Sequence, residues 1–424
     1  MQKTRPRVFY GWWIVLAALV STAFNSMTYS YGLSIFYKRL IDQFGWSRAS
    51  LAGAVALSRL EAGLLGGVEG FLVDRYGSRA IILIGMPLMS LGFILLSRIN
   101  SLTEFYVVFI GLVVLGQALS HQVPFDTTIT NWFVRRRGTA FGLMRSAVAI
   151  GGGGAILTAW FISQYGWRAG FVAAGIGTFA IGFPVALVFR HRPEQYGMLP
   201  DGDVKEEEVA PEETGDSSSA AMSTGEPDIG MTVREALRSW PFWSISMAYA
   251  IRLAATSAVS LHAVPLVEDM GYSTAIAAAV LGSIGMVSLV GRVGGGILND
   301  IIGTRRVAVG CILSLAFSFL IIAQAHTLWQ VWLFVLIYAP SYGCSAATMP
   351  AIKGDFFGRR NFGTIMGLAG ILQTGGSMFG PVFAGYVYDI TKSYRIAFFV
   401  FAGLLMISAA LFLSLKPPRY SGRS

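Results

Sequence analysis

Apolar stretches of about 20 residues, the length a bilayer-crossing helix needs, recur twelve times along this 424-residue chain. They run over 11–36, 49–73, 80–98, 104–128, 139–163, 169–190, 240–266, 274–299, 307–325, 328–350, 363–388 and 395–415. Backbone polar groups in lipid must be satisfied within the segment, so repeated stretches of this kind fold as helices. The expected product is an all-α membrane protein with twelve transmembrane helices. Only 13% of the residues are charged, about half the share usual in soluble domains. The first stretch is longer than a secretory leader and lacks a small-residue cleavage pattern, so it reads as a retained helix.

The net charge of +9 invites a nucleic-acid partner, but its distribution argues against one. With both termini and every second loop placed in the cytoplasm, 21 of the 32 Lys and Arg residues fall on that side, seven on the other and four within spans. Such a bias is positive-inside topology. The chain is therefore expected as a multi-pass protein of the plasma (inner) membrane, with both termini cytoplasmic and acting as a monomer. Cys311 and Cys344 lie in apolar spans and show neither a disulfide framework nor metal-ligand spacing. No metal or cofactor is expected. The Gly151–Gly154 run follows no strand and carries no lysine, so close helix packing explains it better than a nucleotide loop.

One long polar stretch interrupts the pattern. Residues 191–238 mix twelve acids with Ser, Gly and Pro, too little apolar surface to fold alone. They are expected to form a flexible cytoplasmic linker between an N-terminal six-helix bundle, 1–190, and a C-terminal one, 239–424.

The two halves repeat each other. Gly70-Phe-Leu-Val-Asp74-Arg75-Tyr-Gly77-Ser-Arg79 matches Gly296-Ile-Leu-Asn-Asp300-Ile-Ile-Gly303-Thr-Arg305 at an offset of 226. Gly45-Trp-Ser47 matches Gly271-Tyr-Ser273 at the same offset, and Gly138-Thr-Ala-Phe-Gly142-Leu143 matches Gly363-Thr-Ile-Met-Gly367-Leu368 at 225. An even number of spans per copy gives both copies one orientation, related by a pseudo-twofold axis along the membrane normal. That arrangement sets a binding cavity between the bundles at mid-depth.

The loop Gly70…Asp74-Arg75-Tyr-Gly77-Ser-Arg79, with its degenerate copy at Gly296…Asp300…Arg305, resembles the gating motif of the major facilitator superfamily. The resemblance implies roles in conformational gating for Gly70, Asp74, Arg75, Gly77, Arg79, Asp300 and Arg305. Within that superfamily the chain is similar to the monocarboxylate transporter and oxalate/formate-antiporter branch. Tyr10-Gly11-Trp12-Trp13-Ile14-Val15 opens span one as that branch does, and Trp132-Phe133-Val-Arg135-Arg136-Arg137-Gly138 resembles its loop between spans four and five. Val290-Gly291-Arg292 stands in span eight, where the branch places its substrate arginine. Two positions depart from the animal transporters of this branch: Ser288 replaces an aspartate one turn before Arg292, and Tyr31 aligns with their span-one lysine. The span-eleven lysine of oxalate exchangers has no equivalent within Gly367–Asp389.

Ionisable residues at bilayer depth are expensive and mark function. Arg292 is the first candidate for a substrate carboxylate, by bidentate pairing; the competing reading puts it in the gating cluster with Asp300. Arg252, in the middle of span seven, is a second carboxylate ligand, an ion-pair partner or an interfacial snorkel. Tyr31, His121, Tyr338, Tyr342 and Gln373 complete the substrate-binding candidates, with interfacial packing the alternative for the aromatics. His121, Asp126 and Glu61 are the candidates for proton coupling; His121 and Asp126 read equally as a structural pair.

The expected function is secondary active transport of a small organic anion with a proton, by alternating access, with a lactate- or pyruvate-like monocarboxylate first. Exchange of carboxylates or dicarboxylates is the alternative. A transporter-like membrane sensor is a third reading, against which the lack of a large output domain speaks. An enzyme is not expected, since no nucleophile–base constellation or metal cluster is visible.

Overall fold

The computed structural model describes residues 8–203 and 230–416. Twelve long helices account for nearly all of them. In the N-terminal half these are α1 (Tyr10–Phe44), α2 (Arg48–Tyr76), α3 (Ser78–Leu96), α4 (Leu102–Trp132), then α5 and α6, the two arms of Arg137–Val188. The C-terminal half holds α7 (Trp240–Asp269), α8 (Thr274–Ile302), α9 (Thr304–Ala323), α10 (Leu328–Phe357), α11 (Phe362–Thr391) and α12 (Arg395–Leu413). Gly166, at φ 82°, breaks Arg137–Val188 into its two arms, a backbone state only glycine adopts without strain. The surface is apolar: Ile156, Met286 and Val382 are each more than 70% exposed, as side chains facing lipid are.

The repeat seen in the sequence is built into the turns. Ser47 and Ser273 cap α2 and α8 through side-chain oxygens that accept the backbone N–H groups of Ser50 and Ile276. Gly45 and Gly271, one repeat apart, have φ values of 67° and 87°; Gly77 and Gly303 have 82° and 90°. Each pair ends one helix and starts the next by the same left-handed step. Each half has its own core. In the C-terminal half Phe319, Phe334, Tyr338 and Phe401 form one continuous cluster, and in the N-terminal half Phe36, Phe93, Phe105 and Phe171 form another.

Two expectations change here. Cys311 of α9 and Cys344 of α10 are joined as a disulfide, with Cα atoms 6.5 Å apart. Their separation of 33 residues held no hint that adjacent helices would face them at each other. The two ends of the stretch expected as a flexible linker, 191–203 and 230–238, are also folded. Residues 204–229 lie outside the described residues, but both flanks are folded. Pro193–Tyr196 and Pro200–Gly202 are 3-10 turns, and Val233–Arg238 is a helix with a Thr232/Glu235 capping box. Asp201 accepts the backbone N–H groups of Val134 and Arg135 at 3.0 and 2.8 Å, and Glu194 pairs with Arg359 at 2.7 Å. Asp201 and Glu194, two of the acids in this stretch, thus find donors here. At the capping box, the hydrogen bond from the Thr232 backbone holds the Glu235 carboxyl below its usual range.

A candidate anion site between the halves

Glycines set the geometry. A Cβ on Gly291 would lie 1.9 Å from the Pro340 carbonyl oxygen, and one on Gly343 2.0 Å from that of Ser288. Helices α8 and α10 therefore meet backbone to backbone, which places Arg292 beside Tyr342. The Arg292 guanidinium carbon stands 5.9 Å from the Tyr342 ring centroid, and Arg252 of α7 approaches the same ring at 5.1 Å. Arg252 is fixed by α10: its Nε donates to Ser345 Oγ at 2.7 Å and an Nη to the Tyr342 carbonyl at 3.1 Å. Both arginines are at most 5% exposed. Neither snorkels to an interface, and Arg292 does not bond Asp300.

The C-terminal half meets the N-terminal half at the same point. Gly142 of α5 packs against the Arg292 carbonyl, and Gly138 against that of Gly296. The Arg292 Nη1 donates to the Arg145 carbonyl at 2.6 Å, while its buried Nε has no hydrogen-bond partner among the described residues. The Arg145 side chain turns the other way and donates to both oxygens of Asp126, at 2.7 and 2.6 Å. Asp126 is fully buried, so this pair supplies the compensation a buried carboxylate requires. Lys353 of α10, 1% exposed, reaches the Met366 sulfur at 3.3 Å and lies within electrostatic range of Asp126 and Arg145.

The sequence reading missed two of these residues. Lys353 was assigned to a loop, yet the apolar pattern of α10 runs on through Phe356 and Phe357, which was the available signal. Arg145 was seen within a span but given no role. Arg137 also falls between the expected spans; it is buried and pairs with Asp355 at 2.8 Å.

The remaining candidates divide. Tyr31 follows a π-helical turn, Ser26–Ser30, a local distortion common at functional sites. It lies within electrostatic range of Tyr342 and Arg292. Its ring rests on Gly152, and Gly151 and Gly154 pack on Ala23 and Met27 of the same helix, which accounts for three of the four glycines in that run. Gln373 is buried in α11 with its amide nitrogen unpartnered among the described residues. Tyr338 is fully buried in the C-terminal core between Phe319 and Phe334, and touches the site only through ring stacking on Tyr342. His121 faces into the N-terminal half, near Ser21 and Ser120 Oγ at 3.4 and 2.8 Å, and is not bonded to the arginines. Glu61 is half-buried, in electrostatic range of Tyr29 and Glu69.

One end of the molecule, carrying the two glycine–aspartate loops, is closed. Asp74 accepts the N–H groups of Gly363 and Thr364 and the Thr364 hydroxyl, at 3.0, 2.8 and 2.7 Å. Asp300 accepts the N–H groups of Gly138 and Thr139 and the Thr139 hydroxyl, at 2.7, 2.8 and 2.6 Å. Each aspartate thus caps the N-terminus of a helix in the opposite half, α11 or α5, where a negative charge is favoured. Gly70 lies directly against the Gly363 carbonyl. Arg305 donates to the Phe412 and Leu413 carbonyls at the end of α12. Arg75 lies over Phe71 and Tyr76, and it and Arg79 line a cavity beside Gly77.

The described geometry is that of two bundles meeting through glycine crossings around buried cations, and comparisons with known proteins agree with it. Over 95% of this chain and 99% of theirs, the structures of this protein and the human organic anion transporter MFSD10 superpose with a TM-score of 0.72 at 12% identity. The proton:xylose symporter XylE gives 0.72 at 14% identity, covering 96% of each chain. In sequence the chain is 24% identical to monocarboxylate transporter 4 of Gallus gallus over 96% of its length and 82% of that protein's. It is 26% identical to monocarboxylate transporter 2 of Mesocricetus auratus, over 95% and 83%. The family model of the Major Facilitator Superfamily matches residues 14–300 and 289–424, so the chain belongs to that superfamily and is a transporter rather than an enzyme.

Proposed function

We propose that this protein carries small monocarboxylates, lactate- or pyruvate-like, together with a proton, by alternating access, and that Arg292 is the principal ligand of the carboxylate. The supporting observation is the placement of Arg292: buried at the contact between the halves, bonded to a neutral carbonyl, with its Nε unpartnered. A substrate carboxylate offers a charged acceptor in place of the Arg145 carbonyl, a hydrogen bond roughly twice as strong. Arg252 and Tyr342 form the other wall of the site, with Tyr31 and Gln373 as polar contacts. The similarity to monocarboxylate transporters 2 and 4 supports the substrate class.

In this reading the closed end faces the cytoplasm, as its arginines favour, and the bundles rock about the site to open either side. A carboxylate crossing a low-dielectric state with a proton costs far less than a bare anion. Asp126, Glu61 and His121 are the groups available to carry it. Proteoliposomes test the proposal: labelled lactate uptake under an inwardly directed proton gradient should disappear in Arg292→Gln while the protein still purifies as a monodisperse species. Unchanged uptake by that variant would falsify the assignment. One observation favours a second reading, exchange of dicarboxylates: two guanidiniums border one ring, and a ligand with two carboxylates would engage both. Counterflow that requires internal substrate and ignores the pH gradient would select it.

A further inference from the structure

A cavity of about 350 Å³ opens at the closed end of the N-terminal half, away from the anion site. Arg75 enters it from the last turn of α2 and Arg79 from the first turn of α3, and Arg190, His191 and Tyr196 from the segment following α6. Among the described residues its lining contains no Asp or Glu. Of the described acids nearby in sequence, Asp74 is engaged on α11, Glu194 on Arg359 and Asp201 on the Val134 and Arg135 N–H groups. Positive-inside topology accounts for arginines on this face but not for three of them converging on one hollow.

Arg190 is held rather than solvated. Its guanidinium lies between the rings of Tyr10 and Tyr196, at 4.3 and 4.2 Å from their centroids. The backbone around it is tied to α4, since Trp132 Nε1 donates to the Arg190 carbonyl at 2.7 Å and Asn131 Nδ2 to the His191 carbonyl at 3.1 Å. The first turn of α3, through Gly77 and Ala80, forms part of the wall and adds the positive end of a helix. A planar, pre-oriented guanidinium with two further cations beside it matches the tetrahedral oxygens of a phosphate.

We propose that this cavity binds a phosphate-bearing anion, and that the ligand's charge ties Arg75 and Arg79 at the α2–α3 turn to Arg190 in the segment after α6. A bare phosphate fills only part of the hollow, so the ligand carries a small polar remainder, as an anionic phospholipid headgroup or a soluble phosphate ester does. The inference uses the orientation proposed above only to choose the leaflet; headgroup binding and substrate uptake are read in separate assays and fail separately.

The test uses the full chain in nanodiscs of phosphatidylcholine alone, of phosphatidylcholine with phosphatidylglycerol in equal parts, and of phosphatidylcholine with added inorganic phosphate or glycerol 3-phosphate. Native mass spectrometry reads retained ligand, and the thermal midpoint reads stabilisation. The wild type should retain phosphatidylglycerol, or the soluble phosphate, over phosphatidylcholine. The Arg79→Gln/Arg190→Gln variant should lose retention by about tenfold, as removal of charge-assisted contacts implies; Arg395→Gln at the opposite end should not. Retention of phosphatidylglycerol alone identifies a lipid source, and of the soluble esters alone a free one. If the double variant does not fold, Arg190→Lys, which keeps the charge and loses the stacked fork, should bind more weakly than wild type. Equal retention of all lipids and phosphates by the wild type, or equal retention by the arginine variants and the Arg395 control, overturns the proposal.

Discussion

The two halves of the molecule are nearly the same at their ends and different at their centre. At the closed end, Asp74 and Asp300 make the same three hydrogen bonds to the opposite half, with distances that agree within about 0.3 Å. The turns beside them repeat in both φ and position. At mid-depth the correspondence stops. One repeat before Arg292 stands Gly66, before Arg252 stands Ser26, and before Lys353 stands Thr127; one repeat after Arg145 stands Gly370. The proposed rocking needs hinges and latches that work alike on both sides, which would preserve symmetry at the ends. A lactate- or pyruvate-like monocarboxylate has no twofold axis, so the proposed site is free to place charge on one side only.

The largest effect tests that asymmetry. Arg292→Gln removes the charged member of the proposed anion contact, worth ~1.5–3 kcal/mol for each charge-assisted bond. Uptake by proteoliposomes should fall by roughly 100-fold. Loss of comparable size on altering Gly66, its repeat mate, through site chemistry rather than packing would break the comparison.

Next come the crossings at the ends. A Cβ on Gly70 would stand 2.0 Å from the Gly363 carbonyl, and one on Gly296 2.6 Å from that of Gly138. Gly70→Ala and Gly296→Ala should each wedge the closed end apart, raise hydrogen exchange at 363–366 and 138–141 respectively, and slow transport by about tenfold, since overpacking costs ~1–3 kcal/mol. Gly70→Ala should be the more severe. A variant of either kind that leaves exchange and transport at wild-type levels removes the symmetric latch from the mechanism.

The ends were legible in the sequence and the centre only partly so, for a physical reason. Latches are built from short-range devices: a glycine for a left-handed step, a serine cap, an aspartate at a fixed spacing from both. These recur as strings, so Gly70–Arg79 and Gly296–Arg305 could be matched by eye. Arg292 and Arg252 were visible because a guanidinium in an apolar span is expensive and marks function. What the sequence did not carry is which side chains from different helices meet. The Arg145–Asp126 pair joins α5 to α4, Lys353 looked like a loop lysine because Asp355, Arg359 and Arg360 follow it, and the Cys311–Cys344 contact depends on the packing of α9 on α10. Tyr338 and Tyr342, one turn apart, looked equivalent; one is in the core and the other between two arginines.

A smaller effect compares the two latches directly. Asp74→Asn and Asp300→Asn keep one acceptor oxygen and lose the charge at a helix N-terminus, a loss of ~0.3–1 kcal/mol from the dipole alone. Each should raise exchange at its partner helix N-terminus a few-fold, α11 for Asp74 and α5 for Asp300, and the two increments should be equal within error. Unequal increments would mean that one latch holds the closed state and the other merely follows.

The smallest effect separates ring from hydroxyl at the centre. Arg252 and Arg292 approach Tyr342 over its face, where attraction comes from the aromatic quadrupole and survives loss of the oxygen. Tyr342→Phe should therefore lower substrate affinity by no more than about threefold, whereas Tyr342→Leu removes ~0.5–2 kcal/mol of cation–π attraction per arginine and should cost considerably more. Competition of labelled lactate by unlabelled lactate at equilibrium measures both. A Phe variant as weak as the Leu variant would make the hydroxyl a substrate ligand in its own right. The N-terminal half has no ring at the equivalent position, Gly116 standing one repeat earlier, so that outcome would add a third polar contact to the side of the site that already holds both arginines.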